Sequence, residues 1–489
     1  MSATKRHVVA LALLLGIATL LRLYALGEGL WLDEVLTLIT YARSPFAEIA
    51  TKYDSQNQHM LYSLLAHASF LGFGESAWAL RLPAAVFGVA SIYAAYVFGR
   101  EITSATESLL AAALLTFSFH HVWFSQNARA YTALLFFTLL SSHFLLTGMR
   151  TGRPLAWLLY AVSVALGMYS HLTMMFVAAG QFGFFVWERF SSSRSLQGTW
   201  TPLLAGFLMS VLMTLALYAP VLTQILGPGM SEETHVAIWR SPLWTLREAV
   251  ARLQIGTGLG AAVLLGGLVL LAGFASLVRQ RPALIALFLG PVITGVGLTV
   301  AMHHALWPRF FFFAAGFAML VLVRGLFTSC EVATRWMGKR APSAAVLATA
   351  LTILIIGASA AGLPRVYGPK QDYLGARDFV MRSAASHDQV ATAGLATFVY
   401  RDYYAPEWSV VNSADDLRSL HKRGAVWFVF TMPLHFDAKY PDVVAELREH
   451  FEPVKEFPGT LGGGEILVYR SKPGWQAGGA KHVDGGRRQ

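Results

Sequence analysis

Leu30 to Tyr62, LWLDEVLTLITYARSPFAEIATKYDSQNQHMLY, is the stretch on which the reading of this chain turns. It follows the first membrane-length apolar run, His7–Leu26, and holds two polar clusters. The first is Asp33 and Glu34, directly after Trp31, where a membrane helix has just ended and an interfacial aromatic is expected. The second runs from Asp54 through Gln56, Asn57 and Gln58 to His59 and leads into the next apolar segment. Two such clusters, joined by a short loop at the mouth of a membrane domain, predict a site that works on a molecule held at the lipid surface.

Composition agrees with a membrane setting. Of 489 residues 55% are hydrophobic and only 13% charged, where a soluble protein carries roughly 25% charged residues, and the mean hydropathy is +0.50. An ordinary soluble enzyme is excluded. The net charge of +10 does not point to nucleic acid, because the basic residues punctuate the apolar runs and so report topology. The single cysteine, Cys330, rules out an intramolecular disulfide and a thiolate cluster and reads as a small buried apolar side chain. MSATKRH and the run behind it resemble a signal peptide, but the run is long and has no small-residue cleavage site, so it is read as a retained first helix.

Stretches able to cross about 30 Å of hydrocarbon recur at His7–Leu26, Leu80–Phe98, Leu109–Trp123, Ala130–Met149, Leu155–Ser170, Leu172–Trp187, Leu203–Leu226, Leu259–Val278, Ala283–Met302, Phe310–Phe327 and Ala344–Ala361. They predict an α-helical polytopic membrane protein with about eleven transmembrane helices. With the N-terminus inside, Lys5, Arg6, Arg100, Arg150, Arg153, Arg189, Arg194, Arg279, Arg281, Arg324, Arg335, Lys339 and Arg340 fall on the cytoplasmic side. Asp33, Glu34, Asp54, His59, Ser125–Arg129, His171 and His303–Arg309 then fall outside, together with the C-terminal segment. In a bacterial inner membrane that face is the periplasm.

The expected organisation is a membrane domain over residues 1–364, with an external loop at 28–79 and an external amphipathic lid at 227–258. Within the lid Pro242–Leu253 reads as a helix on which Trp244, Leu246 and Val250 alternate with Arg247 and Arg252. After Gly362 the composition turns soluble. Helical pieces at Tyr373–Ser383, Phe398–Tyr404, Ser413–His421 and Asp442–Phe451 alternate with strands at Gln389–Ala393, Ala425–Thr431 and Glu465–Tyr469. They predict a small C-terminal α/β domain over 365–471, followed by a disordered Gly-rich and basic tail, 472–489.

Neighbours on a helix point about 100° apart, so one of Asp33 and Glu34 is expected to act as base and the other to support it. Partial burial beside a membrane gives a base a suitable pKa. Gln58 and His59 read as donors for a phosphate or a sugar hydroxyl, and Asp54, Asn57 and Gln126 extend that polar set. Arg129 and Arg309 are placed to bind a phosphate through paired guanidinium donors, whereas Arg22 is read as snorkelling or pairing with the acidic residues. His171 and His303, with Glu34, are the candidates for a divalent metal, and no cofactor is required.

Several of these motifs together resemble a known family. WLDE, NQHMLYSLL, RLPAAVFG at Arg81–Gly88, SQNARAYTALL at Ser125–Leu135, YSH at Tyr169–His171 and WPRFF at Trp307–Phe311 resemble the bacterial GT-C glycosyltransferases of the family 39-like, dolichyl-phosphate-mannose mannosyltransferase-related group. The sequence departs from the commoner pattern at Gln58-His59-Met60, where His-Pro-Pro is often found. The resemblance implies transfer of a sugar from a polyprenyl-phosphate donor lipid to a lipid, glycan or protein acceptor on the periplasmic face. It further implies Asp33 as catalytic base, Glu34 as its neighbour, and Arg129 and Arg309 on the carrier phosphate. The alternative is a transporter or flippase of a lipid-linked sugar. Against it, the ionisable residues gather at span ends on one side and not at the midplane, where transporters place them; a purely structural subunit leaves them unexplained.

Overall fold

The computed structural model describes residues 3–55, 57–191, 201–227, 236–257, 260–338 and 342–475. Gln56, Arg194, Lys339, Arg340, residues 228–235 and 258 of the expected lid, residue 259 at the start of an expected span, and residues 476–489 of the expected tail lie outside them. The chain divides into two compact units, one of Met1–Glu28 and Thr40–Tyr367, the other of Gly29–Ile39 and Gly368–Gln489.

The first unit is helical. Among the described residues eight helices are long and apolar enough to cross a membrane, or nine if the bent pair Ala105–Phe117 and Phe119–Ser125 is one span. The eleven apolar stretches are helical where they are described, but they do not all make spans of that class. Leu109–Trp123 is broken by a 63° bend, and Leu155–Ser170 is the 17-residue helix Pro154–Ser170. Met60–Phe73 is a further short apolar helix, which begins just after His59.

Leu20, Leu264, Leu271 and Leu354 are each more than about six-tenths exposed, a pattern that water would not tolerate over a whole helix face but hydrocarbon does. Inward, Phe98, Leu135, Tyr160, Phe184 and Phe313 pack in one continuous core. Backbones approach closely where Gly260–Gln280 crosses Ala315–Met337. A Cβ on Gly273 would overlap the Val321 carbonyl oxygen, and one on Gly325 the Val269 carbonyl oxygen, the small-residue crossing used between membrane helices.

The second unit is built on a five-stranded mixed sheet. Its strands are β1 Gln389–Ala393, β2 Ser409–Val411, β3 Val426–Thr431, β4 Phe451–Phe457 and β5 Ile466–Ser471, in the order β2-β1-β3-β5-β4. β1 runs parallel to β2 and β3, while β3–β5 and β5–β4 are antiparallel. β3 is buried along its whole length, which is why VWFVFT is legible as a central strand. The helix Ala414–His421 starts where expected, on Ser413, whose Oγ accepts from the Asp416 N–H while the Asp416 side chain returns to the cap. β4 escapes the sequence reading because only its ends are buried and Pro453 interrupts it, the marks of a sheet edge.

Gly325→Val is expected to cost about 1–3 kcal/mol through overpacking and to lower the melting temperature in detergent, with Gly297→Ala, which meets nothing within 4 Å, as the control. Equal melting temperatures for the two variants would refute the close crossing.

Candidate functional site

In the first unit, several polar side chains that the sequence spreads over 250 residues converge at helix ends, with Tyr131 and Arg309 in the first turns of their spans. His59 caps Met60–Phe73, and its Nδ1 lies 3.0 Å from the Ser170 carbonyl oxygen at the end of Pro154–Ser170. The His59 and His171 rings are 4.8 Å apart, with Tyr131 at 5.9 Å from His59 and 5.3 Å from His171. Arg129 Nη2 donates to Asn57 Oδ1 at 3.0 Å. Arg129 and Arg309 are electrostatic neighbours of both histidines. Burial first, and then the Arg129 charge, hold the His59 imidazole well below its ordinary value. The same causes, with Arg309 third, bring His171 down to about 3. Two fixed cations beside two neutral imidazoles make a place for one anion with hydroxyl-bearing neighbours.

Other predicted residues are occupied in holding this arrangement. Gln58 Nε2 donates to the Lys52 carbonyl at 2.9 Å while its Oε1 accepts from the Asp54 N–H at 3.3 Å, so Gln58 closes the loop under His59. Gln126 Nε2 donates to the carbonyls of Arg22 and Tyr24 and ties the SQNAR segment to the end of the first helix. Asp54 is exposed in this loop. Arg22 does not snorkel. It is fully buried and donates to the Leu115 and Thr116 carbonyls at the helix bend, and to His121 Nδ1 at 2.6 Å, whose Nε2 in turn faces Ser91 Oγ at 2.8 Å. Arg81 of the RLP motif binds the Leu26 and Glu28 carbonyls at 2.9 and 2.8 Å.

The segment read as a lid, in the same unit, is a 3₁₀ turn, Ala237–Arg240, and a helix, Pro242–Thr257. It is fastened to the WPRFF segment: Leu306 N–H donates to the Trp239 carbonyl at 2.8 Å, and the Trp239 ring lies 4.7 Å from that of Trp307. Arg309 lies over Trp307 at 4.9 Å. His303 is exposed in a left-handed turn, φ 57°, after Leu284–Ala301. Among the described residues no three of His, Cys, Asp and Glu are grouped so as to hold a metal ion.

Asp33 and Glu34 belong to the second unit. They open the short helix Leu32–Leu36 and are both buried, Asp33 at 6% exposure and Glu34 at 0%. The segment is pinned by residues far along the chain. Tyr404 Oη accepts from the Leu30 N–H at 2.7 Å and donates to the Leu30 carbonyl at 3.1 Å. Gln371 Oε1 accepts from the Leu32 N–H at 3.4 Å, while its Nε2 donates to Thr431 Oγ1 at 3.0 Å and to the Gly464 carbonyl at 2.8 Å. Burial, and in the same direction the Asp33 carboxylate, push the nearby Tyr373 phenol far up. Tyr404, Gln371 and Tyr131 escaped the sequence reading. For Tyr131 the available signal was its place two residues after Arg129 in SQNARAY.

Two expectations follow. Gln371→Leu removes one partner from each of three groups and should cost about 1–3 kcal/mol, read as faster hydrogen exchange in residues 29–39; unchanged exchange there would refute the pinning. The unfolded chain protonates His171 near pH 6.5, whereas the folded chain keeps it neutral down to about 3. The unfolded form therefore binds more protons in that window, and stability falls as pH is lowered from about 6.5. His171→Asn should flatten the fall in melting temperature between pH 6.5 and 5; an unchanged slope would count against a neutral buried His171.

Residues 57–223 match the sequence model of a family described as dolichyl-phosphate-mannose-protein mannosyltransferase. No curated protein matches the sequence at a significant level. Among solved structures the chain is similar to ArnT from Cupriavidus metallidurans bound to undecaprenyl phosphate, at 12% identity and a TM-score of 0.53 over 96% of this chain and 98% of that one. The apo state of that ArnT matches over the same shares, with a TM-score of 0.50. The Archaeoglobus fulgidus oligosaccharyltransferase, tethered with an acceptor peptide, matches at 9% identity and a TM-score of 0.49 over 96% of this chain and 74% of that one. The resemblance read from the motifs thus extends to the architecture: this is a multi-span membrane protein with the GT-C glycosyltransferase fold and a small C-terminal α/β unit.

Proposed function

We propose that the chain is a glycosyltransferase of the bacterial inner membrane that moves a sugar from a polyprenyl-phosphate carrier to a lipid, glycan or protein acceptor on the periplasmic face. The observation that carries this reading is the convergence of Arg129 and Arg309 on the neutral pair His59 and His171. Positive charge at the edge of hydrocarbon suits a phosphate whose tail lies in the membrane. The undecaprenyl phosphate named with the ArnT structure supports a carrier of that class.

In an inverting single displacement, the acceptor oxygen attacks the anomeric carbon as the bond from that carbon to the phosphate oxygen breaks. Asp33 takes the acceptor proton, and Glu34 supports it. The departing polyprenyl phosphate keeps the bonding electrons, and Arg129 and Arg309 stabilise its charge. The segment that carries Asp33 is buried and hydrogen-bonded within its own unit, which limits the local freedom of the carboxylate.

Asp33→Asn is expected to reduce transfer from the carrier lipids of the native membrane by about 10²–10⁴-fold without weakening binding of undecaprenyl phosphate, measured in detergent. Arg129→Ala is expected to weaken that binding by about tenfold or more. Undiminished transfer by Asp33→Asn removes Asp33 from the mechanism, and carrier movement across liposomes without cleavage replaces the reading with that of a flippase.

A further inference from the structure

The hydrogen bond that orients His59 also decides what it can recognise. A carbonyl oxygen only accepts, so the 3.0 Å contact with Ser170 puts a hydrogen on His59 Nδ1. In a neutral imidazole the other nitrogen, Nε2, then carries the lone pair. His59 is 5% exposed, and Nε2 is buried with no hydrogen-bond partner among the described residues. The sequence suggests a donor at this position; the geometry makes its free end an acceptor.

The neighbours narrow what satisfies it. His171 Nδ1 accepts from the Thr173 N–H at 3.3 Å and lies 2.9 Å from Thr173 Oγ1, so its own ring hydrogen is on Nε2. Tyr131 Oη, also buried, has no partner among the described residues. An ionised phosphate oxygen has no hydrogen to give and would face the Nε2 lone pair unfavourably. A divalent cation would meet the charges of Arg129 and Arg309. A hydroxyl satisfies both ends, because it donates to Nε2 while its oxygen is free to accept from a neighbour such as Tyr131. On a phosphate-linked sugar, ring hydroxyls sit directly beside the phosphate that the arginines attract.

We infer that His59 Nε2 accepts a hydrogen bond from a hydroxyl of the lipid-borne sugar and so separates the loaded carrier from the bare one. This rests on the proposed polyprenyl-phosphate carrier. A buried acceptor left unpaired costs more than an ordinary hydrogen bond gains, so a site built around one disfavours ligands that lack the hydroxyl.

The test uses the full chain in detergent, with undecaprenyl phosphate and its mannose, glucose and galactose phosphosugars as probes. At least one phosphosugar should bind the wild type more tightly than the bare carrier does. His59→Asn keeps a donor for the Ser170 carbonyl but loses the distal acceptor. It should weaken that phosphosugar about tenfold, worth about 1.4 kcal/mol, and leave bare undecaprenyl phosphate unchanged. His59→Gln, whose longer side chain restores an acceptor, should recover part of the loss. Three results overturn the assignment: equal weakening of both lipids, no weakening of the phosphosugar, or no phosphosugar bound better than the bare carrier. Failure of the wild type to bind undecaprenyl phosphate overturns instead the carrier reading beneath it.

Discussion

A guanidinium carries five N–H donors, accepts nothing and keeps its charge, so it leaves water only where oxygens or an anion receive it. Among the described residues the membrane unit buries three such groups, and they are treated differently. Arg22 gives both of its Nη groups to the chain, at carbonyls around a helix bend and at His121, although its Nε is buried without a partner among the described residues, and Arg81 gives an Nη to the loop after the first helix. They are part of the scaffold. Arg129, 3% exposed, has among the described residues a side-chain bond from Nη2 alone, to Asn57 Oδ1. A cation left in that condition is a place for an anion, and the neighbouring imidazoles are kept neutral partly by that same charge.

The bend in Ala105–Phe117 and Phe119–Ser125 belongs to the same economy of polar groups. A straight helix would hide the Leu115 and Thr116 carbonyls; the bend presents them to Arg22. It also delivers Gln126 to the carbonyls at the end of the first helix, and this sets the start of the segment that carries Asn127 and Arg129. Gly88 of RLPAAVFG allows the approach, because a Cβ there would collide with Ser125. Motifs that look weak one at a time therefore hold one another in place.

Much of the candidate site was legible because its residue types are improbable beside hydrocarbon. Arg129, Arg309, His59 and His171 stand out against apolar neighbours, and their one-sided distribution along the spans marked them. Gln58 and Gln126 stood out equally, yet they bond backbone within the unit; a polar side chain looks the same in sequence whether its partner is a ligand or a carbonyl. Tyr131 passed unnoticed because an aromatic at the start of a span is ordinary. In the second unit β3 was evident from its continuous apolar run, while β4, exposed between its ends, has no pattern to read.

By itself the sequence determined the solvent of each segment: hydropathy length set the apolar helices, and the change of composition after Gly362 set the C-terminal α/β unit. Those are local properties, decided by the transfer of each residue's own surface. Only the tertiary structure decided that Leu30–Leu36 is pinned by Gln371 and Tyr404, more than 330 residues away, and which ring nitrogen of His59 is free. Both depend on hydrogen-bond partners brought together by folding, and the direction of a hydrogen bond is a property of the pair, not of either residue alone.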